Sequence, residues 1–399
     1  MSGRRVTTAP GPWPARHLAT ARSTLFAPYQ TAILRIGVAG TYLLWLLVEF
    51  PDRRELFGPD GPWSWELVSR SVARDGHFSV LLWSDSMLWF EICYALSLAV
   101  IVCMLLGWRT RATGVLFVIV VLSFTNRNDF AMNAGNNILR LMALYLLFAR
   151  CSHVWSLDAR RAGRRRRDGK GPARDRTGPL LWSALGAALV LVTALSRLTW
   201  GWALFFWGLW AVQGIWWWAA RRPGTPQRAL DMITHLLHNG AVLMIMAQVC
   251  LIYATAGWYK VQGELWQDGT AVYYSAQLEF LNAWPALSDL MTANSVVVLL
   301  LTYGTVMVQV AFPFSLLRQR AKNVLLVLLI GEHIGIGVLM GLPYFSLAMI
   351  AADLVFLPTP AALWAGRWVL RLRSRLRPAA PGDPEPGRSA GTRTPAGVG

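Results

Sequence analysis

Lys260 is the residue of this chain whose type and setting carry the most chemistry. Among 38 basic residues only Lys170, Lys260 and Lys322 are lysine. A position that keeps lysine against that bias points to a group that must lose its proton, because a desolvated ammonium releases one and a guanidinium does not. The surrounding string YATAGWYKVQGELW puts Ala254, Ala256 and Gly257 on the preceding turns. Small residues there let a second helix approach and leave few groups to solvate the amine. Such a lysine can act as a general base. The competing reading is a side chain that snorkels to the headgroups.

Other ionisable groups interrupt apolar stretches: Arg35, Glu91, Arg140, His235, His238, Glu332, His333 and Asp353. Each costs about 2.5 to 3.5 kcal/mol in hydrocarbon and therefore needs a partner or a task. Charge matching predicts that Arg140 pairs with Glu91 or Glu332 and Arg35 with Asp353, and, if Lys260 is no base, that it pairs with Glu264 or Glu91. Glu332 and His333 are neighbours in sequence and point about 100° apart on a helix, so one of them is expected to serve packing. His235 and His238 stand three residues apart, but no carboxylate follows at ligand spacing, and an interfacial pair rather than a metal site is expected. The string TNRNDFAMNAGNN offers the amides of Asn133, Asn136 and Asn137, able to orient a carbonyl or carboxylate or to cap a helix. Cys93, Cys103, Cys151 and Cys250 have no C-x-x-C spacing, and no phosphate loop, nucleophile elbow or metalloprotease motif occurs.

The elements that must position these groups are membrane helices. The 399 residues are 55% hydrophobic and only 15% charged, with a mean hydropathy of +0.39, which excludes an ordinary soluble domain. Apolar runs such as 115–122 and 296–301 do not alternate, which excludes an outer-membrane barrel. Ten spans are predicted, over 29–50, 87–106, 112–125, 138–149, 180–195, 201–220, 233–259, 296–316, 324–342 and 345–357. The net charge of +17 comes from basic clusters between spans rather than from a nucleic-acid module, so no nucleic-acid partner is expected. These clusters alternate with acid-balanced connections, which predicts cytoplasmic N and C termini. The first span is then an uncleaved anchor, and Glu91, Arg140 and Lys260 fall toward the outer face.

Composition divides the chain further. Residues 1–28 read as a cytoplasmic segment, and 159–228 as a basic loop, RRAGRRRRDGKGPARDR, followed by a Trp-rich hairpin of lipid-facing character. The basic run is expected to be disordered. Residues 359–377 set Leu363, Trp364, Trp368 and Leu372 against arginines as an interfacial amphipathic helix, and 378–399 form a Pro/Gly-rich disordered tail.

The blocks NRNDFAMNAGNNILRLMALYLLFARCSHVWSLD, YATAGWYKVQGELWQDGTAVYY, LTYGTVMVQVAFP and HIGIGVLMGLPYFSLAMIAADLVFL resemble, in that order, those of the HTTM (horizontally transferred transmembrane) domain. Vitamin K-dependent gamma-carboxylase and bacterial sporulation-delaying-protein-B-like proteins share this module. The resemblance covers 29–158 and 229–358 and implies an all-α polytopic bundle of eight core spans, with the Trp-rich hairpin inserted. It also implies a role for Lys260: Gly257, Trp258, Tyr259 and Lys260 resemble the turn whose lysine deprotonates a reduced quinone in the carboxylase, with Trp266 and Gly269 following. Three features depart from the carboxylase: residues 359–399 are predicted to be cytoplasmic where it has a large lumenal domain, asparagines and Gly135 replace a functional histidine, and Gln309 stands where an acid is expected.

Two functions are therefore expected for a multi-pass protein of the cell membrane. One is an enzyme acting at the outer face on a reduced quinone or a secreted peptide, with Lys260 as base, His333, Asn133, Asn136 and Asn137 as orienting groups, and Glu91, Arg140, Trp266 and Glu332 lining the site. The other is a non-catalytic accessory for maturation or export of a secreted peptide or partner membrane protein. A transporter is disfavoured by the lack of inverted repeats.

Overall fold

A computed structural model describes residues 24–169, 177–220 and 224–375. The described residues are helical, with no strand among them. They divide into two units, one ending at Pro358 and one beginning at Thr359.

Eight helices of the first unit form its core in two groups of four. The first group is α1 (Pro28–Val48), then α4 (Met87–Leu106), α5 (Thr110–Arg127) and α6 (Ala134–Phe148), each packed on the next; α2 (Arg53–Phe57) and α3 (Trp65–Asp75) lie between α1 and α4 in sequence. The second group is α10 (Thr225–Gln262), α14 (Ser295–Ser315), α15 (Gln319–Leu339) and α16 (Pro343–Asp353), again packed in order; the short α11 (Glu264–Gln267), α12 (Ala271–Gln277) and α13 (Pro285–Thr292) lie between α10 and α14 in sequence. The groups meet where α16 packs on α1 and α6, and α10 packs on α6. Close approach at that seam has a local cause, since a Cβ on Gly37 of α1 would lie 2.6 Å from the Cβ of Ala351 on α16.

Among the described residues, six helices are both long and apolar enough to cross a membrane: α1, α4, α8 (Thr177–Ala194), α10, α14 and α15. The protein is thus a membrane protein of several spans, and its outward helix faces carry the exposed leucines and valines that lipid would cover. The Trp-rich pair α8 and α9 (Trp200–Ala220) is more than apolar filler. Trp182 and Trp210 stack with ring centroids 4.0 Å apart, and each indole N–H donates to the other's backbone carbonyl at 3.0 Å. At the other end of α9, Trp202 donates to the Gly76 carbonyl and Phe206 packs on Phe78.

The basic run after the first group is partly ordered, contrary to expectation. Leu157–Arg167 forms α7 because Ser156 caps it through the Ala159 N–H, with Asp158 in its first turn and arginine and alanine as good helix formers thereafter. The Asp158 carboxylate also accepts from the backbone of Arg109 and Thr110, which caps α5. Residues 170–176, like the segment 1–23 and the tail from 376, lie outside the described residues. In the second unit Thr359–Arg375 forms α17, as the amphipathic pattern predicts.

Candidate functional site around Lys260

Gly257 decides where the Lys260 amine sits. A Cβ there would meet Val310 Cγ2 at 2.6 Å, so glycine lets α10 and α14 touch one turn before the lysine, as the small-residue pattern predicts. That contact brings Lys260 beside Gln309. The amine Nζ donates to Gln309 Oε1 at 3.0 Å, and Gln309 Nε2 donates in turn to Glu332 Oε1 of α15 at 2.5 Å. The second carboxylate oxygen of Glu332 has no hydrogen-bond partner among the described residues. A short helix, α11 (Glu264–Gln267), then folds back over the amine and sets the Trp266 ring 5.1 Å from Nζ. Tyr303 of α14 fixes that helix by donating to the Gln267 carbonyl at 2.6 Å.

His333 turns to the neighbouring face of α15. Its Nε2 lies 2.9 Å from the Tyr253 hydroxyl of α10, which also reaches both oxygens of Asp353 at 2.9 and 2.8 Å. Tyr253 precedes Lys260 by seven residues and so shares its helix face. Glu332 and His333 therefore both enter polar clusters, one each, and neither is a packing residue only.

Several expected pairings are replaced by others. Arg35 does not meet Asp353: it is fully buried and donates to the carbonyls of Met104 and Leu105 at 2.6 Å, Trp155 at 2.8 Å and Cys151 at 3.3 Å. The end of α4 exposes carbonyls with no intrahelical donor, and a buried guanidinium satisfies them. Arg140 pairs with neither Glu91 nor Glu332; it donates to Asn137 at 2.6 Å on an exposed surface. Glu91 belongs instead to Arg53 at 3.1 Å and Arg54 at 2.6 Å, and Lys260 pairs with neither Glu91 nor Glu264. Asn133 and Asn136 form a reciprocal capping box at the start of α6, so their amide oxygens are spent on the backbone. His238 accepts from the Arg150 N–H at 2.9 Å and meets the Phe26 carbonyl at 2.7 Å, which leaves no ring nitrogen for a metal.

Of the expected site, the structure thus joins Lys260, Trp266 and Glu332, places His333 in the adjoining cluster, and leaves Asn133, Asn136, Asn137, Glu91 and Arg140 in contacts of their own. Gln309, the link between them, has no charge to betray it in sequence. The four cysteines are unpaired thiols, and burial pushes that of Cys151, in the loop after α6, up to about 11, far from thiolate chemistry.

No family profile matches the chain, and no solved structure matches it. Over 150 residues it is 33% identical to an uncharacterized protein, YitO, of Bacillus subtilis (strain 168). That match takes in 36% of this chain and 46% of the relative, so the chain spans less than half the length of the relative it matches.

Proposed function

We propose that this chain is a carboxylase-like enzyme of the cell membrane in which Lys260 takes a proton, at the outer face, from a reduced quinone or a secreted peptide. One observation carries the reading: the first acceptor of the Lys260 amine is a neutral amide, and the nearest carboxylate stands one residue beyond it. A lysine in direct contact with a carboxylate is held as ammonium. An amide oxygen accepts from amine and ammonium alike, so Lys260 is free to change state. Glu332 fixes the amide by accepting from its N–H2 group, which turns the oxygen toward Nζ. Once a proton is taken, the Trp266 ring face and the more distant Glu332 charge steady the ammonium.

The same reading places ten spans in an HTTM-type bundle with both termini cytoplasmic. Its support is the grouping of eight helices into two fours with α8 and α9 beyond them, together with the one-sided basic clusters. A cysteine at position 260 should then react with an impermeant maleimide in intact cells; reaction only after lysis would reverse the orientation.

The deciding experiment is mass spectrometry of the lipids and quinones that co-purify with the full-length protein, wild type against Lys260→Ala. A bound quinone lost in the variant is the expected result and leads to oxygen-consumption assays with its reduced form. Ordinary phospholipid in both would remove the quinone and leave the peptide-maturation accessory as the better reading.

A further inference from the structure

The Asp353, Tyr253 and His333 cluster lies deeper than Lys260 and is not used by the chemistry above. Its three side chains come from three helices, α16, α10 and α15, and are at most 2% exposed. The Tyr253 hydroxyl is the hub, within 2.9 Å of the imidazole on one side and of both carboxylate oxygens on the other. A hydroxyl has one hydrogen, so it cannot donate to both sides at once. Two arrangements fit the same heavy atoms. In the first, Tyr253 donates to an ionised Asp353 and accepts from His333 protonated on Nε2. In the second, a protonated Asp353 donates to Tyr253, and Tyr253 donates to a bare Nε2, with the imidazole proton on Nδ1.

His333 Nδ1 has no hydrogen-bond partner among the described residues, and neither has Ser346 Oγ. Both are buried on the α15/α16 seam. Ser346 faces Gly337, one turn beyond His333, where a Cβ would lie 3.1 Å from Oγ, and it shares the Asp353 face of α16, seven residues away. The seam thus holds a buried, unpartnered ring nitrogen on one side of the Tyr253 hydroxyl and a carboxylate on the other.

We propose that Asp353, Tyr253 and His333 form a membrane-buried proton-binding relay. A hydronium ion gives a proton to Nδ1 and leaves as water, the Nε2–H passes to the Tyr253 oxygen, and the Tyr253 proton passes to Asp353. Three N–H and O–H bonds break as three form, and one proton has been stored as a carboxylic acid. The imidazole ends neutral with its tautomer reversed. Storage is favourable because it replaces a buried carboxylate by a neutral acid. The charged groups acting on the cluster are Glu332, beside His333 on α15, and Lys260 on α10. The relay stands whether or not Lys260 is a base.

The test uses full-length protein in nanodiscs, with histidine labelled by nitrogen-15. As the pH falls, infrared spectra should show a protonated-carboxyl band that Asp353→Asn deletes, while the nitrogen spectrum of His333 changes from the Nε2–H to the Nδ1–H tautomer over the same range. Tyr253→Phe should uncouple the two, so that the tautomer no longer follows the carboxyl band. An Asp353 that stays ionised, or a carboxyl band that grows while the His333 tautomer stays fixed, would sink the relay. Should Tyr253→Phe fail to fold, the wild-type tautomer change decides by itself.

Discussion

Arg35 and Lys260 are both cations on membrane helices, and the protein treats them in opposite ways. Arg35 has no exposure and gives its protons to four backbone carbonyls, three of them at 2.6 to 2.8 Å. Lys260 is half-buried and has one side-chain acceptor, an amide. Arg127 follows the Arg35 pattern, donating to the carbonyls of Trp63 at 2.8 Å and of Gly58. Backbone carbonyls cannot move away or take up a proton, so a cation held by them is a fixture of the fold. A cation held by one amide, itself oriented by a carboxylate, can exchange its proton without unmaking the helix packing. The residue types agree with the roles: the guanidinium never deprotonates, whereas the ammonium can.

The sharpest way to break this contrast is Arg35→Leu. It would strand the last carbonyls of α4 and those of Cys151 and Trp155, and the expected loss is about 3–5 kcal/mol, the range for breaking a buried charge network. Thermal unfolding of the purified protein in detergent checks it; a change under about 1 kcal/mol would make Arg35 as dispensable as an exposed arginine. Next comes Gly37→Ala, two residues on from Arg35 and so on the opposite side of α1, at the α1/α16 seam. Its new methyl would sit 2.6 Å from the Ala351 Cβ, a contact no side-chain rotation relieves, and about 1–3 kcal/mol should be lost.

These two positions also show what a sequence reveals and what it hides. The membrane helices, the close approach at Gly257 and the Asn133 cap are legible, because each follows from a local pattern of residue types. The partners of Arg35 are not, since charge matching looks for acids and the true acceptors are carbonyls that every residue carries. Charge matching gives Asp353 to Arg35 for the same reason, while the partner it has, Tyr253, carries no charge at all. Gln309 is hidden likewise: it stands out only as a missing acid, and its function as the bridge from Lys260 to Glu332 needs three helices side by side. The ordered start of the basic run, Leu157–Arg167, is hidden in sequence by like charges that outweigh Ser156 and Asp158 in composition but not in capping.

Asn133→Ala gives a smaller effect and tests a residue moved from site to scaffold. The Asn133 side chain accepts from Gly135 and Asn136 at 2.8 and 3.3 Å, so its loss should cost about 1 kcal/mol of stability. Activity per folded molecule should remain that of the wild type. A selective loss of activity with unchanged unfolding would return Asn133 to the site.

The smallest effect on stability, and the largest on chemistry, is expected at the Lys260 pair. Lys260→Met removes one half-buried hydrogen bond, worth about 1 kcal/mol, and Lys260→Arg keeps the charge with still less change. Both should be equally inactive in oxygen consumption with a reduced quinone, because arginine supplies the cation and not the base. Gln309→Glu separates the two roles further. It places a carboxylate directly against the amine, which favours ammonium and so stabilises the contact while withdrawing the base. Unfolding should move by no more than about 0.5 kcal/mol as activity falls. If Gln309→Glu and Lys260→Arg are both as active as wild type, Lys260 is a fixed cation like Arg35, and the distinction between carbonyl-held and amide-held charges has no chemical meaning in this protein.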